Sequence, residues 1–313
     1  MTAQTSATEV ALDSHARRAS WPVAVLRTAR PRQWPKNLLV FAAPLAGASL
    51  GRRDGLIYAL VAAAAFGCAS VAVYFVNDVA DAERDRRHPR KRYRPVAAGD
   101  LPKSHAVVLG AVCAAAGLAA GVLISEPLLV AAVGGYIGMS FLYSLVLKHI
   151  PVIELLFVAS GFLLRVLGGA AATHVPPSGW FLLVCSLGAL GVAIAKRYTE
   201  LTTLGPEAIE HRPAMRWYRP WALRVSQIAV GALMIAAYLA WAAEEHASAR
   251  PWHLASALPL AAALARFGFL TGRRTSAPVE DLLMRDGPML VCELSWLALF
   301  VAGLLGQPST TGG

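Results

Sequence analysis

Charge is scarce in this chain. Only 15% of its 313 residues are Asp, Glu, Lys or Arg, while 56% are hydrophobic, which leaves too little polar surface to cover a water-soluble globule. No polar stretch is long enough to build a soluble module with interleaved aromatics, which excludes nucleic acid as a partner. Cysteine is sparse too. Cys68, Cys113, Cys185 and Cys292 each lie inside an apolar run with no close pair, which argues for buried, inert thiols and against metal knuckles or redox chemistry. The opening "MTAQTSATEVALDSHARRAS" has no compact apolar core followed by a small-residue cleavage site. It reads as a disordered tail over residues 1–20, not a signal peptide. A single transmembrane domain is expected over 21–306 and a short tail over 307–313.

Apolar runs are what the chain has in quantity. A helix needs about 20 apolar residues to cross ~30 Å of hydrocarbon, and nine candidate spans are centred near Val40, Ala64, Gly117, Gly138, Gly161, Leu187, Leu233, Leu260 and Leu297. The expected fold is an all-α integral membrane bundle. Its first span is the weakest, because "NLLVFAAPLAGASL" is short and carries Pro44, so a tilt or kink is expected there. The small-residue patterns Gly117 to Gly121 and Gly134 to Gly138 suit close helix packing in lipid.

Bases outnumber acids 29 to 19, for a net charge of +10. With nine spans and a cytoplasmic N-terminus, 24 of the 29 fall on one side. They are six from Arg17 to Lys36, eight from Arg84 to Lys103, Lys148, six from Lys196 to Arg224, and three from Arg273 to Arg285. Only Arg52, Arg53 and Arg250 fall on the other side, with Arg165 and Arg266 inside spans. This asymmetry predicts a multi-pass cell-membrane protein with its N-terminus and polar loops in the cytoplasm. That basic face suits anionic headgroups or phosphorylated substrates.

One connection departs from a plain basic loop. "NDVADAERDRRHPRKRYRPVAAGD", Asn77 to Asp100, holds five acids and seven bases. On a helix continuing from the second span, Asn77, Asp81 and Asp85 follow one another with an offset of about 40° around the axis at each step. Asp78 stands about 100° from Asn77, so four oxygen-bearing side chains share one face. Mg²⁺ favours one or two carboxylates plus substrate phosphates, so the pattern fits a metal held jointly by the protein and a diphosphate. Pro89 then ends the helix, and Lys91, Arg92 and Arg94 could grip further phosphate oxygens. A solvated positive-inside loop accounts for the bases but not for the Asn and Asp face. Other ends on the same side repeat the theme: Lys36 in "RTARPRQWPKN" with Trp34 as an interfacial anchor, Tyr143, Lys148 and Glu154 in "YSLVLKHIPVIE", and Lys196, Arg197 and Glu200 in "AKRYTE". Singly these read as snorkelling anchors, while together they read as a site. Inside the spans, Glu154 and Arg165 share a helix face. Arg165 suits an ion-paired or hydrogen-bonded structural role, and Arg266 suits pairing with Glu293.

"NDVADAERD" resembles the N-D-x-x-D-x-x-x-D motif of the UbiA superfamily of intramembrane prenyltransferases, which implies nine spans and a motif that binds Mg²⁺ and a diphosphate. The superfamily's second Asp-rich motif is replaced here by "AKRYTEL", which argues against ordinary aromatic prenylation. With "RPRQWPKN", "YSLVLKHIPVIE" and "SGFLLRVLGGAAA", the chain looks like the polyprenyl-phosphate phosphoribosyltransferase branch. The resemblance implies transfer of 5-phosphoribosyl from phosphoribosyl diphosphate to decaprenyl phosphate, feeding arabinan precursors of the cell wall. It places Asn77, Asp81 and Asp85, assisted by Asp78, on Mg²⁺. Lys36, Lys91, Arg92, Arg94, Lys148, Lys196 and Arg197 fall on phosphates, and Tyr143, Glu154 and Glu200 on ribose or a second metal. Prenyl transfer to a small acceptor, or a lipid-binding transporter or scaffold, are the competing classes. Homo-oligomerisation is left open.

Overall fold

A computed structural model of the chain describes residues 19–88, 91–145, 150–205, 213–244, 248–273 and 279–306. Among them the regular structure is entirely helical. Eight helices are long and apolar enough to cross a membrane. They are α3 (Arg53–Arg86), α5 (Lys103–Leu123), α6 (Pro127–Leu145), α7 (Ile153–Ala172), α8 (Gly179–Leu204), α9 (Pro220–Glu244), α10 (Arg250–Gly272) and α12 (Gly287–Leu305). The shorter ones are α1 (Trp21–Ala29), α2 (Ala42–Ala46), α4 (Pro95–Ala98) and α11 (Val279–Arg285).

The first of the nine expected spans does not form a long helix. α1 ends at Arg30, which takes a left-handed backbone (φ 51°) because Pro31 follows and cannot continue the helix. A 3₁₀ stretch then runs over Pro31–Phe41 with Pro35 inside it, and α2 carries Pro44. Each proline removes a backbone donor, so three prolines in a short segment deny an α-helix its ladder. The expected kink is a succession of breaks, and the segment lies against α3 and α7.

The long helices pack as neighbours, with α3 on α5, α6 on α7, α7 on α8, α8 on α9 and α10 on α12. One core joins Val40, Phe66, Val73, Leu129, Val133 and Tyr136, binding the 3₁₀ stretch, α3 and α6. A second joins Ala24, Phe75, Val96 and Leu101, fixing α1 and α4 beside the end of α3. Large apolar side chains such as Leu123, Leu128, Leu258 and Leu305 are exposed, as expected where lipid rather than water is the solvent. Of the predicted small-residue contacts, Gly117 sits where a Cβ would come 2.9 Å from the Ala65 carbonyl oxygen, and Gly121 packs on Val130. Gly138 has no described atom within 4 Å of that position and so makes no such contact.

Two glycines determine how closely the broken segment approaches. A Cβ at Gly169 would lie 1.9 Å from the Val40 carbonyl oxygen, and one at Gly168 would lie 2.3 Å from the Phe66 ring. Only hydrogen at these positions lets α7 lie against both the 3₁₀ stretch and α3.

Candidate active site

α3 is longer than a bilayer requires. Its 34 residues rise about 51 Å, so a span of about 20 residues counted from Leu56 ends at Phe75. Asn77 to Arg86 then continues as helix beyond the hydrocarbon, in the register read from the sequence. Helix α3 stops at Arg86, and Pro89 lies outside the described residues.

The Asn and Asp face of α3 is split into two halves. Asp78 and Asp85, seven residues apart and nearly in line, are each 2% exposed. Arg30 hydrogen-bonds Asp78, while Arg94 Nη1 donates to Asp85 Oδ2 at 2.8 Å and to Asp78 Oδ1 at 3.3 Å. Arg94 precedes Pro95 at the start of α4, and Pro95, Val96 and Ala97 are buried, so packing holds its guanidinium over the two carboxylates. The other half is Asn77 and Asp81. Asn77 accepts from Ser144 Oγ at 2.9 Å and borders a cavity. Asp81, a third exposed, accepts from Arg84 at 3.3 Å.

A matching cluster forms at the end of α8 with the roles of helix and partner exchanged. Arg197 Nε donates to Glu154 Oε1 at 2.9 Å, Nη1 to Glu200 Oε2 at 2.8 Å and Nη2 to the Tyr143 hydroxyl at 3.3 Å. Glu154 has no exposed surface, and its ion pair with Arg197 offsets the cost of that burial. Tyr218 completes the cluster. Its hydroxyl accepts from Val152 N at 2.9 Å and hydrogen-bonds Glu154, and burial pushes its phenol up to about 12. It therefore remains a neutral donor to the carboxylate. Val152 takes a left-handed backbone (φ 65°), rare for a β-branched residue, and so presents its N–H to Tyr218. The sequence reading did not select Tyr218, whose only signal is that an aromatic with a polar tip stands in a basic connection.

Between these clusters lies a cavity of ≈ 250 Å³ walled by the 3₁₀ stretch, α3, α6, α7 and α8. Among its lining residues the cations are Lys36, Arg165 and Lys196, and none of the lining residues is a carboxylate. Lys36 Nζ donates to Gln33 Oε1 at 3.2 Å, and Lys196 Nζ lies 5.7 Å from the centre of the Phe162 ring. Tyr74, Asn77, Tyr143 and Ser144 add polar groups to the wall.

The structure thus brings Lys36, Asn77, Tyr143 and Lys196 onto one cavity, with Glu154, Arg197 and Glu200 bonded to one another and to Tyr143 beside it. Lys91 and Arg92 are exposed in a separate 3₁₀ turn, where Arg92 Nη2 donates to the Tyr93 hydroxyl at 2.7 Å. Neither lines the cavity. Lys148 lies outside the described residues. The expected Arg266 to Glu293 pairing is overturned. Arg266 makes two bonds to Asp286, at 3.0 and 2.9 Å, because Asp286 caps the start of α12 and accepts from Met289 N as well. Its carboxyl is held below the usual range mainly by the Arg266 hydrogen bond.

The donor chemistry suits Mg²⁺. Asn77, which lines the cavity, and Asp81, one turn further along α3, offer hard oxygens, and among the described residues no three His, Cys, Asp or Glu side chains converge into an all-protein metal cage. Magnesium takes few protein oxygens and fills its octahedron with water and substrate phosphate.

Fold and site together define a multi-pass helical membrane protein with a polar, cation-lined cavity at one end of its bundle. The chain belongs to the UbiA prenyltransferase family, whose sequence model matches residues 37–285, so the resemblance read from "NDVADAERD" holds. Within the family it is similar to the decaprenyl-phosphate phosphoribosyltransferase of Mycobacterium tuberculosis (strain CDC 1551 / Oshkosh), at 35% identity over 278 residues, covering 88% of this chain and 92% of that one. It is also similar to the protein of the same description from Corynebacterium glutamicum, at 31% identity over 290 residues, covering 91% and 87%. A solved UbiA homolog from Archaeoglobus fulgidus, bound to DMAPP and Mg²⁺, shares the fold with a TM-score of 0.67 at 17% identity, covering 90% of this chain and 98% of that one.

Proposed function

We propose that the protein is a decaprenyl-phosphate phosphoribosyltransferase, moving 5-phosphoribosyl from phosphoribosyl diphosphate to a polyprenyl phosphate with release of diphosphate. The observation that carries this reading is a small cavity bordered by Lys36, Arg165 and Lys196, with no carboxylate among its described lining residues. Its volume of ≈ 250 Å³ falls just below the usual range of about 300–1,000 Å³ for small-molecule sites, which suits a compact polyanion. A polyprenyl chain needs far more room and would lie along the apolar helix faces. The curated relatives described above support the same activity over most of both chains.

In this reading an oxygen of the lipid phosphate attacks C1 of the ribose, the bond from C1 to the diphosphate oxygen breaks, and diphosphate departs. The attacking phosphate is already an anion near neutral pH, so no strong general base is needed. Asn77 and Asp81 would hold Mg²⁺, which when bound supplies charge neutralisation on the leaving diphosphate. Asp78 and Asp85, committed to Arg30 and Arg94, keep the end of α3 in place, so that Asn77 and Asp81 are preorganised. Lys36 and Lys196 bind phosphate oxygens, and Arg197 orders Tyr143, Glu154 and Glu200 as the wall nearest the ribose. Rate comes from positioning and electrostatics. The basic connections favour a cytoplasmic position for this face, where a soluble phosphorylated sugar donor would be met.

The test is purified protein with Mg²⁺ and decaprenyl phosphate, offered phosphoribosyl diphosphate in one arm and a prenyl diphosphate with a small aromatic acceptor in the other, with products identified by mass. A phosphoribosylated lipid in the first arm is expected. Product only in the second would return the protein to the prenyl-transfer class.

A further inference from the structure

Arg165 is the one cation of the cavity that stands deep in the bundle. It lies 12 residues into α7 from Ile153, about 18 Å along the axis, and is 4% exposed. Its hydrogen-bond partners are Asn37 Oδ1 at 2.8 Å, the Gly161 carbonyl at 2.7 Å, Ser70 Oγ at 2.8 Å and the Tyr136 hydroxyl at 3.1 Å, and its guanidinium lies 4.4 Å from the centre of the Tyr136 ring. All four are neutral, and Arg165 has no ion pair among the described residues. Guanidinium carries five N–H donors. The Nε hydrogen and both Nη2 hydrogens are used, while Nη1 donates only to Gly161, so one Nη1 hydrogen has no acceptor among the described residues. A buried charge without a counter-ion is costly, and a donor left unmade in the interior adds to that cost. Arg165 lines the cavity, so a ligand anion in that cavity would supply both missing partners.

The position of that anion follows from α3. Ser70, which Arg165 contacts, lies seven residues before Asn77, about 10 Å down the helix. The two ends of the cavity therefore present an oxygen-rich pole at Asn77 and a cationic pole at Arg165. That separation suits a ribose phosphorylated at both ends.

We infer that Arg165 binds the 5-phosphate of the donor and is a specificity-determining residue, making the cavity floor a phosphomonoester site that excludes an isoprenoid chain. The inference rests on the activity proposed above. An isoprenoid in this place would leave the guanidinium buried against hydrocarbon, so the same residue that favours one donor class rejects the other.

The test compares phosphoribosyl diphosphate with ribose 1-diphosphate, which lacks only the 5-phosphate, in wild type and Arg165→Met. Wild type should prefer the phosphorylated donor by at least about a hundredfold in kcat/KM, as a site built around a charged group rejects the analogue lacking it. In Arg165→Met the preference should collapse to below about tenfold. A structural role would weaken both donors alike and leave the ratio unchanged, which would overturn the inference. Should Arg165→Met not fold, Arg165→Lys carries the test. It keeps the charge and loses the planar fork, so the ratio should fall about tenfold through KM for the phosphorylated donor alone, and an unchanged ratio again overturns the inference. Wild type inactive with phosphoribosyl diphosphate overturns the activity and this inference with it, whereas active wild type with an unmoved ratio overturns the Arg165 assignment only.

Discussion

The ends of α3 and α8 solve one problem with opposite signs. On α3 the helix supplies Asp78 and Asp85, and neighbouring segments bring Arg30 and Arg94 to them. On α8 the helix supplies Arg197 along with Glu200, and α7 brings the buried Glu154. Each cluster pairs its charges internally and presents a different neighbouring group to the cavity, Asn77 on one side and Lys196 on the other. The charge that a ligand meets is therefore set by the residue next to each cluster. A sequence count of acids and bases along either helix would assign it wrongly.

Mutations at the two ends should separate chemistry from scaffold. Asp81→Asn should cause the largest fall in activity, about a thousandfold in kcat, with an unchanged melting curve in detergent. Asp85→Asn should lower both, since it removes the shorter of the two carboxylate contacts that hold Arg94. Equal behaviour of the two would erase the division of the α3 face. Arg197→Met should be felt first as stability, because it breaks the buried ion pair between Arg197 and Glu154, at a cost of about 3–5 kcal/mol. Thermal denaturation would measure it, and a melting curve like wild type would show that the α8 cluster holds nothing together. The smallest effect is expected at Asp286. Its folded-state carboxyl is held below the ordinary range by Arg266, so its contribution to stability is complete above that range and lost as pH falls through it. Asp286→Asn should flatten the acid limb of the stability profile and change little at neutral pH.

Much of the α3 end was legible because it is local. Asn77, Asp78, Asp81 and Asp85 sit on one helix, and a four-residue repeat fixes their angles before any tertiary contact forms. What the repeat could not show was that an arc of about 100° is enough for Asp78 and Asp85 to be buried under Arg94 while Asn77 borders the cavity. The long helices were likewise legible from length and apolarity. The segment around Val40 was not, because three prolines matter more than its hydropathy. The partners of Arg165 and Arg266 were not legible either. Asn37 stands 128 residues from Arg165 in sequence. Asp286 lies in the connection before α12, outside the apolar runs that hold Arg266 and Glu293.

The contact between Gly169 and Val40 has a consequence for replacement. Residue 169 carries no donor, acceptor or charge on a side chain, and it lies one helical turn from Arg165. A single methyl group there would drive the Val40 carbonyl outward and carry Asn37, three residues earlier on the same 3₁₀ stretch, away from the guanidinium. The cation's reach into the cavity thus depends on an atom that is absent. A Gly169→Ala chain could keep every polar residue named above and still lose the alignment that makes them a site.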